Sequence, residues 1–221
     1  MPLKDWGLQA TWEDQYSVRI RDSSHPLFGQ RVTYGRILAQ RMTDPYTDEL
    51  TEYNQRVSHL TTLFPIQTAD RILVGGCGFG YLIEAFKDAG YANCWGIDSS
   101  PWISTNKGTE ARGDVLMVDA DIRGGGVVKT ALRNLTGDSE FTWIISEHVM
   151  EWHDDIELDG LLNAAEVALE RGSPNSNIIH IVLTLDTNDG QIVDFNLKTL
   201  VDWNAIRPDH SWVNGVTWEV L

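Results

Sequence analysis

Four groups of residues have types and spacings that could do chemistry. The first is Gly76-Cys77-Gly78-Phe79-Gly80, inside the stretch RILVGGCGFGYLIEAF at 71–86. An apolar run climbs into this turn and an amphipathic stretch follows at once. Glycine lacks a Cβ, takes positive φ readily and lets a ligand approach bare backbone. The second is Asp98 in CWGIDSS, about twenty residues after the turn. A carboxylate at a strand end there can accept both hydroxyls of a ribose. Ser99, Ser100 and Pro101 also read as a helix start, for which Asp98 would be the cap. The third is Asp119-Ala120 in VLMVDADI. That Asp can accept from an adenine amino group while the next backbone N–H meets a ring nitrogen; the plainer reading is a solvated strand end. The fourth is Ser146-Glu147-His148 in FTWIISEHVMEWHDD, with Glu151 and His153 close behind. These are the nearest acids and bases to such a site, although a single histidine at this point is as often a packing residue.

Elements of regular structure must position these groups. Leu50, Tyr53, Val57, Leu60 and Phe64 recur at three- and four-residue steps after Asp44, and Pro65 stops the pattern. That is a helix with one apolar face, expected to lie against the sheet that follows. Strands are expected at 71–75, 94–98, 115–119, 141–146 and 178–185. Helices are expected at 81–89, 127–135, 156–171 and 196–206, with a shorter one at 101–107. Strand–helix alternation of this kind means parallel strands with crossover helices. Such α/β sheets bind ligands outside the carboxyl ends of their strands. Near the end, Asn214-Gly215 separates two alternating segments, a strong signal for an antiparallel hairpin. Residues 1–45 read as irregular, yet Trp6, Trp12, Tyr16, Phe28 and Tyr34 suggest a segment packed on something. The chain is accordingly expected to divide into 1–65, an irregular segment plus helix serving as lid or substrate cap, and 66–221, the ligand-binding domain.

Composition narrows the classes. A chain of 221 residues fits one domain with an added cap. The net charge of −15 argues against a broad nucleic-acid face, which needs clustered Lys and Arg, but not against a small basic pocket. Cys77 and Cys94 are the only cysteines, so neither a disulfide framework nor a cysteine zinc site is expected. A reducing, cytoplasmic location is the natural expectation. MPLKDWGLQATWEDQY lacks the apolar core of a secretory signal, and no run of about 18 apolar residues would span a membrane. On that expectation the sequon Asn134-Leu135-Thr136 is incidental.

Glycine turns at strand exits serve nucleoside triphosphates, dinucleotides and S-adenosylmethionine. The spacing here is GxGxG rather than the dinucleotide GxGxxG, and no Lys-Ser or Lys-Thr follows to make a phosphate loop. Taken in order, the four groups resemble class I S-adenosylmethionine-dependent methyltransferases, over about residues 65–221. Gly76, Gly78 and Gly80 match the family's GxGxG. Asp98 matches its ribose-binding acid, Asp119-Ala120 its adenine-edge pair and Ser146–Trp152 its fourth motif. The resemblance implies a Rossmann-like, mostly parallel seven-stranded sheet with helices on both faces and a closing antiparallel hairpin. It implies S-adenosylmethionine held by Gly76, Cys77, Gly78, Gly80, Asp98, Ser99, Asp119, Ala120 and Ser146, with His148 and Glu147 as acid–base candidates and no metal. One position departs: Val74 stands where the family carries Asp or Glu two residues before the first glycine, and Asp119 or Glu147 could substitute.

The sulfonium is already a strong methyl donor. The protein has mainly to place a nucleophile in line, about 3 Å from the methyl group, with a base needed only if the nucleophile arrives protonated. The helix N-terminus after Gly80 would favour the cofactor's carboxylate. The acceptor is read by elimination. Ser146-Glu147-His148-Val149 lacks the Asn/Asp-Pro-Pro-aromatic motif of DNA amino-methylating enzymes, and no cysteine follows a proline as cytosine-C5 enzymes require. Glu147, Glu151, Asp154, Asp155, Glu157 and Asp159 favour a neutral or cationic acceptor, a small molecule or protein side chain, if they rim the pocket. Loop 186–195 would join residues 1–45 as the substrate shell. Two alternatives stay open: a non-catalytic cofactor-binding or interaction module, motivated by Val74, and an aminopropyltransferase, which often shares a double glycine like Gly75-Gly76.

Overall fold

Ile72-Leu73-Val74-Gly75 has no polar residue to turn outward, and all four positions are buried. A strand of this kind belongs in the interior of a parallel sheet covered on both faces. The computed structural model describes residues 17–19, 31–33, 47–78, 80–98, 140–147, 149–150, 155–169, 175–182 and 198–214. Its elements are β1 (Ser17–Arg19), β2 (Arg31–Thr33), α1 (Thr47–Leu63), β3 (Ile72–Gly75), α2 (Tyr81–Asp88), β4 (Cys94–Ile97), β5 (Trp143–Glu147), α3 (Asp155–Ala168), β6 (Asn177–Val182), α4 (Leu200–Ile206) and β7 (Ser211–Asn214). Five strands form one sheet in the order β4-β3-β5-β6-β7, and every neighbouring pair is parallel.

Strand side chains alternate between faces, and each face has its own helices. Ile72, Val74, Trp143, Ile145, Ile179 and Val213 share one apolar cluster with Val57, Leu60 and Phe64 of the α1 region and with Leu82, Ile83 and Phe86 of α2. Leu73, Ile144 and Ile178 face the other way, onto Ala165 and Ala168 of α3. Further along that face, Val182 and Trp212 meet Leu158, Leu162 and Trp203. Trp203 and Trp212 stack with centroids 5.2 Å apart. The apolar stripe read before Pro65 is therefore core: α1 lies on the sheet. Asp70 locks the entry to β3, accepting from Gln67 N–H at 2.7 Å and from Trp143 Nε1–H at 2.8 Å.

Several expectations need correction. The sheet has five described strands rather than seven. The expected strand at 115–119 and helices at 101–107 and 127–135 lie outside the described residues. Ser211–Asn214, expected as the first arm of a hairpin, joins the sheet parallel to β6 after α4. Its last three residues are all buried, the mark of a strand covered on both faces rather than of an exposed ribbon. The segment after Asn214 lies outside the described residues, so the antiparallel hairpin is not part of the described fold. The N-terminal segment is not wholly irregular, because β1 and β2 pair antiparallel. α4 starts later than expected because Thr199 and Asp202 form a reciprocal cap at its N-terminus. Among the described residues no helix is long and apolar enough to cross a membrane.

Two glycines should respond oppositely to the same substitution. Gly160 lies inside α3, and a Cβ there would meet nothing within 4 Å. Gly160→Ala should raise the unfolding free energy by about 0.5–1 kcal/mol. A Cβ on Gly96 would lie 2.7 Å from Cys77 Cβ and Sγ and would overlap Ile83, so Gly96→Ala should cost about 1–3 kcal/mol. Urea denaturation of the two variants checks both signs.

Candidate functional site

β3 has β4 on one side and β5 on the other, and the chain visits them in turn. Connections diverge at such a point, which opens a crevice at the carboxyl ends of the strands. The glycine turn leaves β3 here, Asp98 follows β4, and Ser146 and Glu147 end β5. Gly75 and Ser146 are partners in register across the crevice.

The turn explains its own sequence. Gly76, Gly78 and Gly80 have φ of 66°, 52° and 85°, so left-handed backbone recurs at alternate positions. Side chains rarely tolerate that conformation. Hydrogen bonds fix the path: Cys77 N–H donates to Ile97 O at 3.0 Å and Gly80 N–H to Cys77 O at 2.9 Å. Gly78 N–H donates to Asp98 Oδ2 at 2.9 Å. The glycines differ in what they leave room for. A Cβ on Gly76 would overlap the Val149 side chain, whereas one on Gly78 meets nothing within 4 Å. The space at Gly76 is thus filled by the protein itself, and the open approach is at Gly78, beside Asp98.

Asp98 is buried to 6% exposure. A carboxylate has about four acceptor positions, so it can hold the turn and a sugar diol together. α2 begins directly after Gly80, with no side-chain cap at its N-terminus, leaving backbone N–H groups suited to an anion. These features fit a nucleoside ligand with a carboxylate tail. Cys77 supplies backbone here rather than reactivity. Burial, reinforced by the charge of Asp98, pushes its thiol pKa well up, so it stays protonated and is a poor nucleophile.

The two residues ending β5 part company, as the pleat requires. Glu147 forms an ion pair with Arg56 of α1. The Arg56 guanidinium lies 4.7 Å from the Tyr53 ring centroid, and Tyr53 is 5.7 Å from Tyr81 at the start of α2. Ser146 is 2% exposed, and its Oγ lies 2.7 Å from Nδ1 of buried His180. His180 Nε2 in turn lies 3.0 Å from His210 Nδ1. Burial lowers the pKa of both histidines, and each is further lowered by a neighbour, His180 by His210 and His210 by Arg207, while Asp209 and Glu166 pull His210 part of the way back.

Gly76, Cys77, Gly78, Gly80, Asp98, Ser146 and Glu147 are thus brought to one end of the sheet. Ser99, Asp119, Ala120 and His148 lie outside the described residues, as do Glu151 and His153. Val74 is 2% exposed and sits in the apolar cluster beneath α1 and α2. Arg56, Gly96, Val149 and His180 were missed. His180 left a trace in the sequence, as a polar residue inside the buried strand Asn177–Val182 (NIIHIV).

No protein-family model matches the chain, and no curated protein sequence matches it. Solved structures do. The PH0226 protein of Pyrococcus horikoshii OT3 is similar at 16% identity and a TM-score of 0.52, over 72% of this chain and 82% of that one. A chain of the complex between the Haloferax volcanii Trm112 methyltransferase activator and a protein assigned as a methyltransferase is similar at 15% identity and a TM-score of 0.50, over 78% and 76%. Magnesium protoporphyrin IX methyltransferase of Synechocystis PCC 6803, solved with bound S-adenosylmethionine, aligns at 12% identity and a TM-score of 0.48, over 78% and 76%. The chain has the class I S-adenosylmethionine-dependent methyltransferase fold.

The histidine pair makes stability pH-dependent. An unfolded histidine titrates near 6.5, and both folded values are lower. Below about pH 6.5 the unfolded chain therefore binds more protons, and stability is lost as pH falls. The thermal midpoint should hold above pH 7 and drop between pH 6.5 and 5. His180→Gln should flatten that drop when the two proteins are scanned side by side.

Proposed function

We propose that the chain is an S-adenosylmethionine-dependent methyltransferase, acting on a neutral or cationic small molecule or protein side chain. The observation that carries this reading is the glycine turn at the switch point of the sheet, open at Gly78 and hydrogen-bonded to Asp98. When bound, the cofactor supplies an activated methyl group. The rest falls to the protein. Asp98 would hold the ribose hydroxyls while keeping the turn in place. The start of α2 would receive the methionine carboxylate. Asp119 and Ala120 are assigned the adenine edge, and Ser99 a cofactor contact, by the resemblance alone.

Glu147 and Arg56 form a charged but internally neutralised wall on the α1 side of the crevice. Glu147 is thereby a positioning group first, and a proton acceptor only if the pair opens. With a chain charge of −15, long-range electrostatics attracts cationic acceptors, is indifferent to neutral ones and repels polyanions.

Isothermal calorimetry tests the reading. S-adenosylmethionine and S-adenosylhomocysteine should bind, and NADH should not. Asp98→Ala should weaken both ligands by about 1.5–3 kcal/mol, the usual worth of a hydrogen bond to a charged group, or about ten- to 150-fold. Unchanged affinity in the variant removes Asp98 from the site. Binding of decarboxylated S-adenosylmethionine alone points to aminopropyl transfer. Absence of any binding leaves a module with this fold and no cofactor.

A further inference from the structure

Four polar residues from four parts of the chain meet in a line. Ser146 ends β5, His180 lies in β6, His210 immediately precedes β7 and Glu166 lies in α3. The steps are Ser146 Oγ to His180 Nδ1 at 2.7 Å, His180 Nε2 to His210 Nδ1 at 3.0 Å, and His210 Nε2 to Glu166 Oε1 at 3.5 Å. The first three residues are 2%, 0% and 5% exposed. The Glu166 side chain is 41% exposed, so only the outer end of the line is wet.

One carboxylate biases the direction of the line: Glu166 Oε1 stands 3.5 Å from His210 Nε2, an approach short of a formed hydrogen bond. An ionised carboxylate can only accept, so it favours the proton of His210 on Nε2, and Nδ1 is then an acceptor. His180 must then donate from Nε2, and its own Nδ1 accepts. The Ser146 hydroxyl must donate to that nitrogen. This order needs both imidazoles neutral, as burial makes them. Glu166 is held by Arg207, whose Nε donates to Oε1 at 3.1 Å, while Arg207 Nη2 bonds Asp159 at 2.6 Å. Among the described residues Asp209 is a further charged neighbour of His210. Glu166, Asp209 and His210 also lie close enough together to suit a cation, but the guanidinium already bonded to Glu166 opposes one.

We propose that Ser146, His180, His210 and Glu166 form a general-base relay that takes a proton from the methyl acceptor at the crevice. The inference rests on the methyltransferase reading above. Its chemistry is that of a serine–histidine–carboxylate triad with a second imidazole between histidine and carboxylate. A hydroxyl acceptor loses one proton during methylation. As the bond from acceptor to methyl carbon forms, the carbon–sulfur bond breaks and its electron pair stays on sulfur. The acceptor's proton passes to Ser146 Oγ while the proton of Ser146 passes to His180 Nδ1. His180 becomes an imidazolium, and Glu166, through His210, holds its tautomer and steadies its charge. A methylated hydroxyl still carrying its proton is a strongly acidic oxonium, so a weakly basic buried histidine suffices. The proton returns to water when the products leave. Ser146, at the crevice end of the line, is the group assigned to the acceptor, which must reach a side chain that is 2% exposed; His180, His210 and Glu166 are positioning residues.

Nitrogen-15 NMR of the full chain, labelled at histidine, tests the relay without an acceptor. His180→Gln and His210→Gln assign the signals. At pH 7.5 both residues should carry the proton on Nε2. Glu166→Ala should shift the nitrogens of His180 towards a mixture of tautomers, although His180 does not touch Glu166. Glu166→Gln, which keeps an acceptor oxygen, should shift them less and serves if the alanine variant fails to fold. An Nδ1-protonated His180, or one indifferent to both Glu166 variants, overturns the relay. So does a zinc titration that broadens His210 at stoichiometric metal, since that line would then be a metal site. Saturating S-adenosylhomocysteine should move His180 Nδ1 in the native chain and not in Ser146→Ala. Calorimetric binding without that movement rejects the coupling to the crevice. Failure of S-adenosylhomocysteine to bind rejects the methyltransferase reading instead, while the tautomer result still decides the relay.

Discussion

The hydrogen bond from Gly78 N–H to Asp98 is the contact on which the candidate site depends. Three left-handed residues in five would leave the turn with many conformations to lose on folding. An ionised acceptor on a rigid strand end offsets part of that cost, by about 1.5–3 kcal/mol. The bond reaches from one strand's exit to its neighbour's, so the turn inherits its position from the sheet. Glycine at 96 lets Cys77 pack close enough for this to happen. The open face of Gly78 and the buried carboxylate beside it are thus one construction, made by parallel pairing of β3 with β4.

Much of this was legible in the chain. Unbroken apolar runs marked β3 and β5 because strands buried on both faces have no polar side to show. The stripe from Tyr53 to Phe64 marked α1, and its contact with the sheet followed. The glycine spacing carried the turn, since each glycine answers a backbone need that few other residues meet. Asp98 was legible through its distance from that turn. The parallel course of β7 was not. Asn214-Gly215 is a local signal, while the pairing of Ser211–Asn214 is decided by burial of Trp212 and Val213 on opposite faces.

The pairings across the site were equally hidden. Arg56 and Glu147 are separated by most of a domain in sequence, and nothing local to either announces the other. His180 was visible as an anomaly in an apolar strand, but its partners come from β5, α3 and the turn before β7. Periodicity reports which face a residue takes. It does not report which residue waits on the neighbouring element. For that reason Ser146, read as a cofactor contact, turned out to be joined to a histidine network on the α3 face.

The ion pair of Arg56 with Glu147 has a consequence for how the molecule moves. α1 lies ahead of the sheet in the chain, yet it shares the core through Val57, Leu60 and Phe64 and reaches the mouth of the crevice through Arg56. The opening of α1 is therefore coupled to that of the end of β5. Whatever settles in the crevice and restrains the end of β5 also damps the excursions of α1. The helix is in this sense tied to the site from its own face of the sheet, through one ion pair at the crevice wall.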